Sequence, residues 1–307
     1  RLEKGGITAM ADPIRGAVVF LHGSGDIGAG CREWVRMETN GMFEKALSER
    51  GIKLLFPSAV PIPYTLAGGY PSSVWHDRAG LGAHHKEDGP GIEASIASLE
   101  AYIKKEAPSI PPSRIVFGGF SMGGHMALQM AYRGRENKNK NNKKMNNASG
   151  QVDGNSQKNK KKGGGGKAVE TKALGDAGAT EQCLGCFCMS SYLHDDSALY
   201  KHKASKPAPP LFMTHGEDDD LIPSQWGQKT AEKLKALGYG VSFFLFKDTA
   251  HTLTETSLAA VLNFVLRRFG KDGGGGSGSG GRGGGGGAGG ENEDARDSSC
   301  EKKTKKQ

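Results

Sequence analysis

An α/β fold, with a mostly parallel central sheet covered by helices on both faces, is predicted by three features of this 307-residue sequence. Short apolar runs bounded by turn residues alternate along the chain with segments of helical periodicity. The runs Gly16–His22 and Arg114–Phe120 are apolar almost throughout, as strands buried on both faces are. The second of these passes directly into a helix through a Gly-x-Ser-x-Gly turn.

In order, Gly16–His22 is the first expected strand, followed by a loop of Gly, Ser and Asp. A helix is expected from about Glu33 to Arg50, stopped by Gly51, and Lys53–Pro57 is the next strand. Residues 58–90 are expected to be irregular, being rich in Pro and Gly and too long for a mere connection, and in enzymes such loops shape the substrate site. Ile92, Ile96, Leu99 and Ile103 recur at spacings of four, three and four, one face of a helix that Pro108, Pro111 and Pro112 end. The strand to Phe120 then opens a helix over Met122–Tyr132. Leu184–Met189, Leu211–His215 and Val241–Phe246 read as further strands, with helices over Gln225–Leu237 and Leu253–Phe269.

Gly119-Phe120-Ser121-Met122-Gly123 matches the nucleophile elbow of α/β hydrolases, a sharp strand-to-helix turn that lifts a serine Oγ out of the sheet. An ordinary Gly-rich turn is the plainer reading. The β-branched strand before it and the helix after it favour the elbow. A serine hydroxyl is a weak nucleophile and needs a base oriented by a carboxylate, in the chain order Ser, acid, His. Four acids, Glu217, Asp218, Asp219 and Asp220, follow the strand at 211–215, and local physics does not choose among them. His251, at the last strand-to-helix junction, is the candidate base. His84, His85, His194 and His202 lie in polar loops and are expected to be solvated, while His22 and His215 close strands and read as partners of the backbone. The oxyanion of acyl transfer needs donors, and the candidates are the N–H of Met122, at a helix N-terminus, and that of Ser24.

The segments Phe20-Leu-His-Gly-Ser-Gly-Asp26, Val74-Trp-His-Asp-Arg78, Gly118-Gly-Phe-Ser-Met-Gly-Gly124 and His215-Gly-x-x-Asp219 resemble the acyl-protein thioesterase and lysophospholipase family. The resemblance spans about 16–133 and 181–270. It implies an α/β-hydrolase fold with Ser121 as nucleophile, His251 as base, and Asp219 as the acid, Pro223 falling in register. It places the oxyanion donors at Ser24 and Met122. Trp75 and Asp77 match a family motif in the long loop, where they shape the site or support the loop. A cytosolic esterase without a cofactor is implied, acting on acyl esters or thioesters as a monomer or weak dimer. Many thioesterases of this kind carry Gln where this chain has Met122, so acylated protein, lysophospholipid and small ester all stay open as substrates.

Charge is distributed unevenly. Residues 134–180 carry 11 Lys/Arg against 4 Asp/Glu, residues 272–307 carry 6 of each, and of the total of +8 only +1 belongs to the rest. Both segments are poor in apolar residues and are expected to be disordered, leaving an extension at 1–15 and one interrupted hydrolase domain at 16–271. The basic runs Lys158–Lys162 and Lys302–Lys306 suggest another class of function, binding of nucleic acid or anionic lipid on an inactive hydrolase scaffold. Neither has interleaved aromatics, so no specific nucleic acid is expected and membrane contact is at most peripheral. Five cysteines, three of them within Cys183–Cys188, make a poor disulfide framework and point to a reducing, cytoplasmic setting. That cluster lacks a second group of ligands, so no metal is expected.

Overall fold

A computed structural model of the chain describes residues 14–133, 182–204 and 207–270. The expectations for the N-terminal extension, the insertion at 134–180 and the tail at 272–307, with both basic runs, fall essentially outside these residues. The strands are β1 (Gly16–Leu21), β2 (Ile52–Leu55), β3 (Pro61–Pro63), β4 (Pro71–Ser73), β5 (Ile115–Phe120), β6 (Gly185–Met189), β7 (Leu211–Gly216) and β8 (Val241–Phe246). The helices are α1 (Gly28–Glu38), α2 (Met42–Ser48), α3 (Gly89–Glu106), α4 (Met122–Tyr132), α5 (Ser224–Ala236) and α6 (Glu255–Phe269). Six strands form one parallel sheet in the order β2-β1-β5-β6-β7-β8.

Strand alternation divides the core into two layers. Ala17, Val19 and Leu21 of β1 pack with Ile92 and Leu99 of α3, Met126 of α4 and Leu234 of α5. Val18 and Phe20 point the other way, into Val35, Phe43 and Leu47 of α1 and α2 and Leu258 and Val261 of α6. The Phe20 ring meets Phe43 and Phe187 edge-on, with centroids 6.4 and 5.2 Å apart. Burial of each such side chain stabilises the fold by about 1.5–3 kcal/mol, and this fixes helices to both faces of the sheet. Strands β1, β5 and β6 are buried along their whole length.

Two expectations are corrected. The single helix expected over 33–50 is two helices, the first beginning at Gly28. Asn40 and Gly41 adopt left-handed φ values of 47° and 72°, which end α1 and turn the chain into α2. The apolar periodicity on either side of this break runs on as if uninterrupted. The stretch 58–90 holds an antiparallel ribbon, β3 with β4, and a 3₁₀ turn at Thr65–Ala67. Short Pro-containing strands of this sort carry almost no periodicity to read. Asp88 caps α3, accepting from the N–H of Gly91 at 3.0 Å, and also accepts from Asp77 N–H at 3.0 Å, so this loop is tied to a helix end.

Candidate active site

Ser121 sits between β5 and α4 with φ 54° and ψ −122°, a left-handed conformation rare for a residue with a side chain. Ser121 N–H donates to Met189 O of β6 at 2.9 Å, and the turn is closed by the Gly124 N–H on Ser121 O at 3.0 Å. Its tightness explains the flanking glycines. A Cβ at Gly119 would run into the Gly123 carbonyl, and a Cβ at Gly123 into that of Leu21. Strand β5, helix α4 and strand β1 can approach this closely only without those side chains.

The loops at the C-terminal ends of β7 and β8 bring the other two groups to Ser121. His251 Nε2 lies 3.0 Å from Ser121 Oγ, and His251 Nδ1 lies 2.8 Å from Asp219 Oδ2. Phe120 packs its ring 4.7 Å from the imidazole. Asp219 is the one acid of its loop that turns inward, whereas Glu217, Asp218 and Asp220 are exposed. Burial pushes its carboxyl up, but hydrogen bonds from His215, the Ile222 N–H and His251 outweigh that and hold it below the ordinary carboxylate range. His215 forks its Nε2–H between Ile222 O at 2.8 Å and Asp219 Oδ2 at 3.2 Å. It therefore stands behind the acid.

The β1–α1 loop faces the elbow across a cleft of about 200 Å³ that Ser24, Ser121 and His251 line together. Neither Ser24 N–H nor Met122 N–H has a hydrogen-bond partner among the described residues. The loop is held from behind. His22 donates Nδ1–H to Gly23 O at 2.7 Å and accepts from Ala59 N–H at 3.0 Å, and burial keeps the ring neutral. Trp75 donates its indole N–H to His22 O at 2.9 Å and packs on the His22 ring. Asp77 accepts from Thr65 N–H at 2.8 Å and from Thr65 Oγ1 at 2.5 Å. Trp75 and Asp77 thus brace the loops around the cleft without lining it.

The cleft wall comes instead from Trp34, Tyr64, Arg78, Leu81, Leu221 and Ile222, drawn from four separate segments. Of these, only Arg78 carried a sequence signal, as the last residue of the Trp-His-Asp-Arg motif. A larger hollow of about 580 Å³, lined by Ile103, Tyr132, Cys183 and Tyr239 among others, contains none of the three converging side chains. Ser121 and His251 lie on the smaller one.

Behind the cleft lies a buried polar cluster. His194, expected to be solvated, is fully buried here, because Asp195 N–H bonds Ala83 O and Leu193 N–H bonds Thr230 Oγ1, drawing its loop inward. Glu87, His125 and His194 bring ligand-type atoms within 4.8 Å of one another, the group among the described residues with metal-ligand spacing. The Gln129 amide donates to Glu87 at 3.0 Å and His125 Nε2 lies 3.3 Å from the same carboxylate oxygen, so the cluster is already cross-linked through Glu87. Cys31, Cys183, Cys186 and Cys188 are free thiols, and burial raises the pKa of each, so they behave as core side chains. Among the described residues no helix is long and apolar enough to cross a membrane.

A family model described as alpha/beta hydrolase fold matches residues 90–255, and one described as Phospholipase/Carboxylesterase matches residues 3–139. This chain belongs to the α/β-hydrolase family. Within that family it falls among the phospholipases and carboxylesterases. Lysophospholipase-like protein 1 of Mus musculus is 29% identical, over 82% of this chain and 86% of its own length. Acyl-protein thioesterase 1 of Emericella nidulans is 28% identical, over 84% of this chain and 92% of its own. The crystal structure of Zea mays acyl-protein thioesterase 2 matches in fold with a TM-score of 0.55 at 22% identity, covering 84% of this chain and 95% of that one. With these relatives, this α/β hydrolase is a serine hydrolase.

Proposed function

We propose that this α/β hydrolase cleaves its ester or thioester by way of an acyl-enzyme on Ser121, with His251 as base and Asp219 as the acid that orients it. The observation that carries the proposal is the unbroken path from Ser121 Oγ to His251 at 3.0 Å and from His251 to Asp219 at 2.8 Å, opening on a cleft. Each contact lies within the range expected of a nucleophile, its base and the base's orienter. With Asp219 ionised, the proton of neutral His251 sits on Nδ1, and Nε2 presents its lone pair to Oγ.

As Oγ attacks the acyl carbon, its proton passes to Nε2 and the carbonyl oxygen becomes an oxyanion. The N–H groups of Met122 and Ser24 donate to that oxygen, and removal of one such donor typically costs about 3–4 kcal/mol of transition-state stabilisation. Collapse breaks the bond to the alcohol or thiol, which leaves with the proton from His251. Water then gives a proton to Nε2 as it attacks the acyl-serine, and the carboxylic acid departs with Oγ re-protonated. A cleft of about 200 Å³ is smaller than the typical pocket for a drug-sized ligand, so it favours short acyl groups, or long ones whose far end lies outside it. The proposal places this activity in a single domain over 16–271, acting as a monomer or weak dimer. A cytoplasmic location is supported by the free thiols.

Labelling with a fluorophosphonate probe tests the nucleophile. Wild type should label and Ser121→Ala should not, and equal labelling of the two would sink the mechanism. Turnover of esters and thioesters of graded chain length then gives the substrate class.

A further inference from the structure

Arginines near the surface are paired with carboxylates: Arg32 with Glu44 at 2.7 Å and Arg36 with Glu33 at 3.7 Å on α1, and Arg133, just past α4, with Glu93 at 2.7 Å. The arginine that most needs a partner has no carboxylate beside it among the described residues. Arg78 is only 3% exposed, its Nε is buried without an acceptor, and among the described residues no carboxylate comes within ion-pair distance of its guanidinium. Its remaining contact is with the Tyr192 ring, 5.6 Å from the centroid, and a cation–π contact recovers only part of the hydration a guanidinium loses.

The groups around Arg78 leave it as an uncompensated cation. Burial is the largest effect on His76, His125 and His194 and lowers the pKa of each, Arg78 lowers all three further, and at His125 the Glu87 carboxylate opposes the shift without reversing it. Glu87 is engaged by Gln129, by His125 and by the Ala198 N–H at 3.3 Å. The Asp77 carboxylate is taken by Thr65. Asp26, the other charged side chain on the cleft wall, accepts from the Ile27 N–H at 2.7 Å. Arg78 itself lines the same cleft as Ser121 and His251.

We propose that Arg78 is an anion subsite of the catalytic cleft, and that the preferred substrate carries a carboxylate or phosphate a few bonds from its scissile carbonyl. The small cleft fixes the spacing, and the guanidinium fork suits either oxyanion. The inference rests on the reading of Ser121 as nucleophile, and it narrows the substrates of that site.

The test measures kcat/KM for two pairs, each an anionic ester with a neutral counterpart. With the charge on the acyl side, 4-nitrophenyl hemisuccinate is compared with 4-nitrophenyl 4-methylpentanoate. With the charge on the alcohol side, 1-butyrylglycerol 3-phosphate is compared with 1-butyrylglycerol. In the wild type, one anionic ester should exceed its neutral partner by roughly 10- to 100-fold, mostly through KM, and the pair that does so identifies the source of the anion. Arg78→Met should abolish that ratio, and Arg78→Lys, a point charge without the fork, should restore part of it. A wild-type ratio near one for both pairs would overturn the proposal, as would a ratio unchanged in Arg78→Met. If Arg78→Met does not fold, the wild-type ratios still decide, together with competitive inhibition of neutral-ester hydrolysis by succinate or glycerol 3-phosphate. Loss of fluorophosphonate labelling and of all turnover, neutral esters included, would instead count against the hydrolase mechanism.

Discussion

Replacing Asp219 by Asn alters the hydrogen-bonding character of one buried group with almost no change in its shape. The carboxylate only accepts: from His251 at 2.8 Å, from His215 at 3.2 Å and from the Ile222 N–H at 2.8 Å. An amide has a single acceptor. With that oxygen kept on Ile222, the amide N–H₂ faces two ring N–H groups. His251 can relieve the clash only by moving its proton from Nδ1 to Nε2, so that Nδ1 accepts from the amide. That tautomer shows Ser121 an N–H where a lone pair is needed. The same exchange in another serine triad lowers kcat by about 10⁴, and we expect about 10³–10⁴ here, or roughly 4–5.5 kcal/mol at 1.36 kcal/mol per tenfold. The assay is kcat on a short 4-nitrophenyl ester, with a thermal melt to verify the fold. Glu217→Gln, Asp218→Asn and Asp220→Asn, at exposed positions, should stay within about twofold of wild type. A folded Asp219→Asn that keeps more than about a tenth of wild-type kcat would refute the assignment. So would an equal loss in any of the other three variants.

Trp75→Phe removes the indole donor from the buried His22 carbonyl, which should destabilise the fold by about 1–3 kcal/mol. Because His22 precedes the loop that carries Ser24, kcat should fall about tenfold with little change in KM, and an unchanged kcat would remove Ser24 N–H as an oxyanion donor. Stability should also decline in acid through Glu87. Burial pushes this carboxyl up, but hydrogen bonds from His125, Ser197 and the Ala198 N–H outweigh it, and its pKa falls to about 2. A folded value below the ordinary 4.5 means the contribution is full above that pH and disappears as pH falls toward 2. Urea unfolding as a function of pH should show this limb, and Glu87→Gln should flatten it while losing about 1–3 kcal/mol at neutral pH.

The parts of the site that depend on local sequence were readable in advance. The elbow needs an apolar strand, two small residues and a helix in unbroken succession, and residues 115–132 spell that out. His251 followed from chain order and a strand-to-helix junction. Asp219 was different: its neighbours are equally acidic, and only resemblance selected it. What separates it in space is the inward turn of one side chain, made by the Ile222 N–H and His215, which no periodicity encodes. The cleft wall was largely invisible for a similar reason, since Trp34, Tyr64, Leu81 and Ile222 meet only through tertiary folding. His194 is buried despite its polar loop sequence, which does not reveal that Ala83 and Thr230 hold the loop inside. The α1–α2 break is hidden in a run of good helix formers, where an Asn-Gly pair outweighs them.

The backbone at Ser121 has a consequence for how this protein would respond to selection. A non-glycine residue with φ 54° and ψ −122° is strained by about 1–3 kcal/mol, and glycine in that place would relieve most of it. The chain is therefore predicted to be more thermostable with Gly at 121 than with its own nucleophile. A library screened for heat resistance alone would discard the reactive serine early, and only a screen that also demanded turnover would retain it. On the proposed mechanism, the substitution that would relieve this strain is also the one that would end the chemistry.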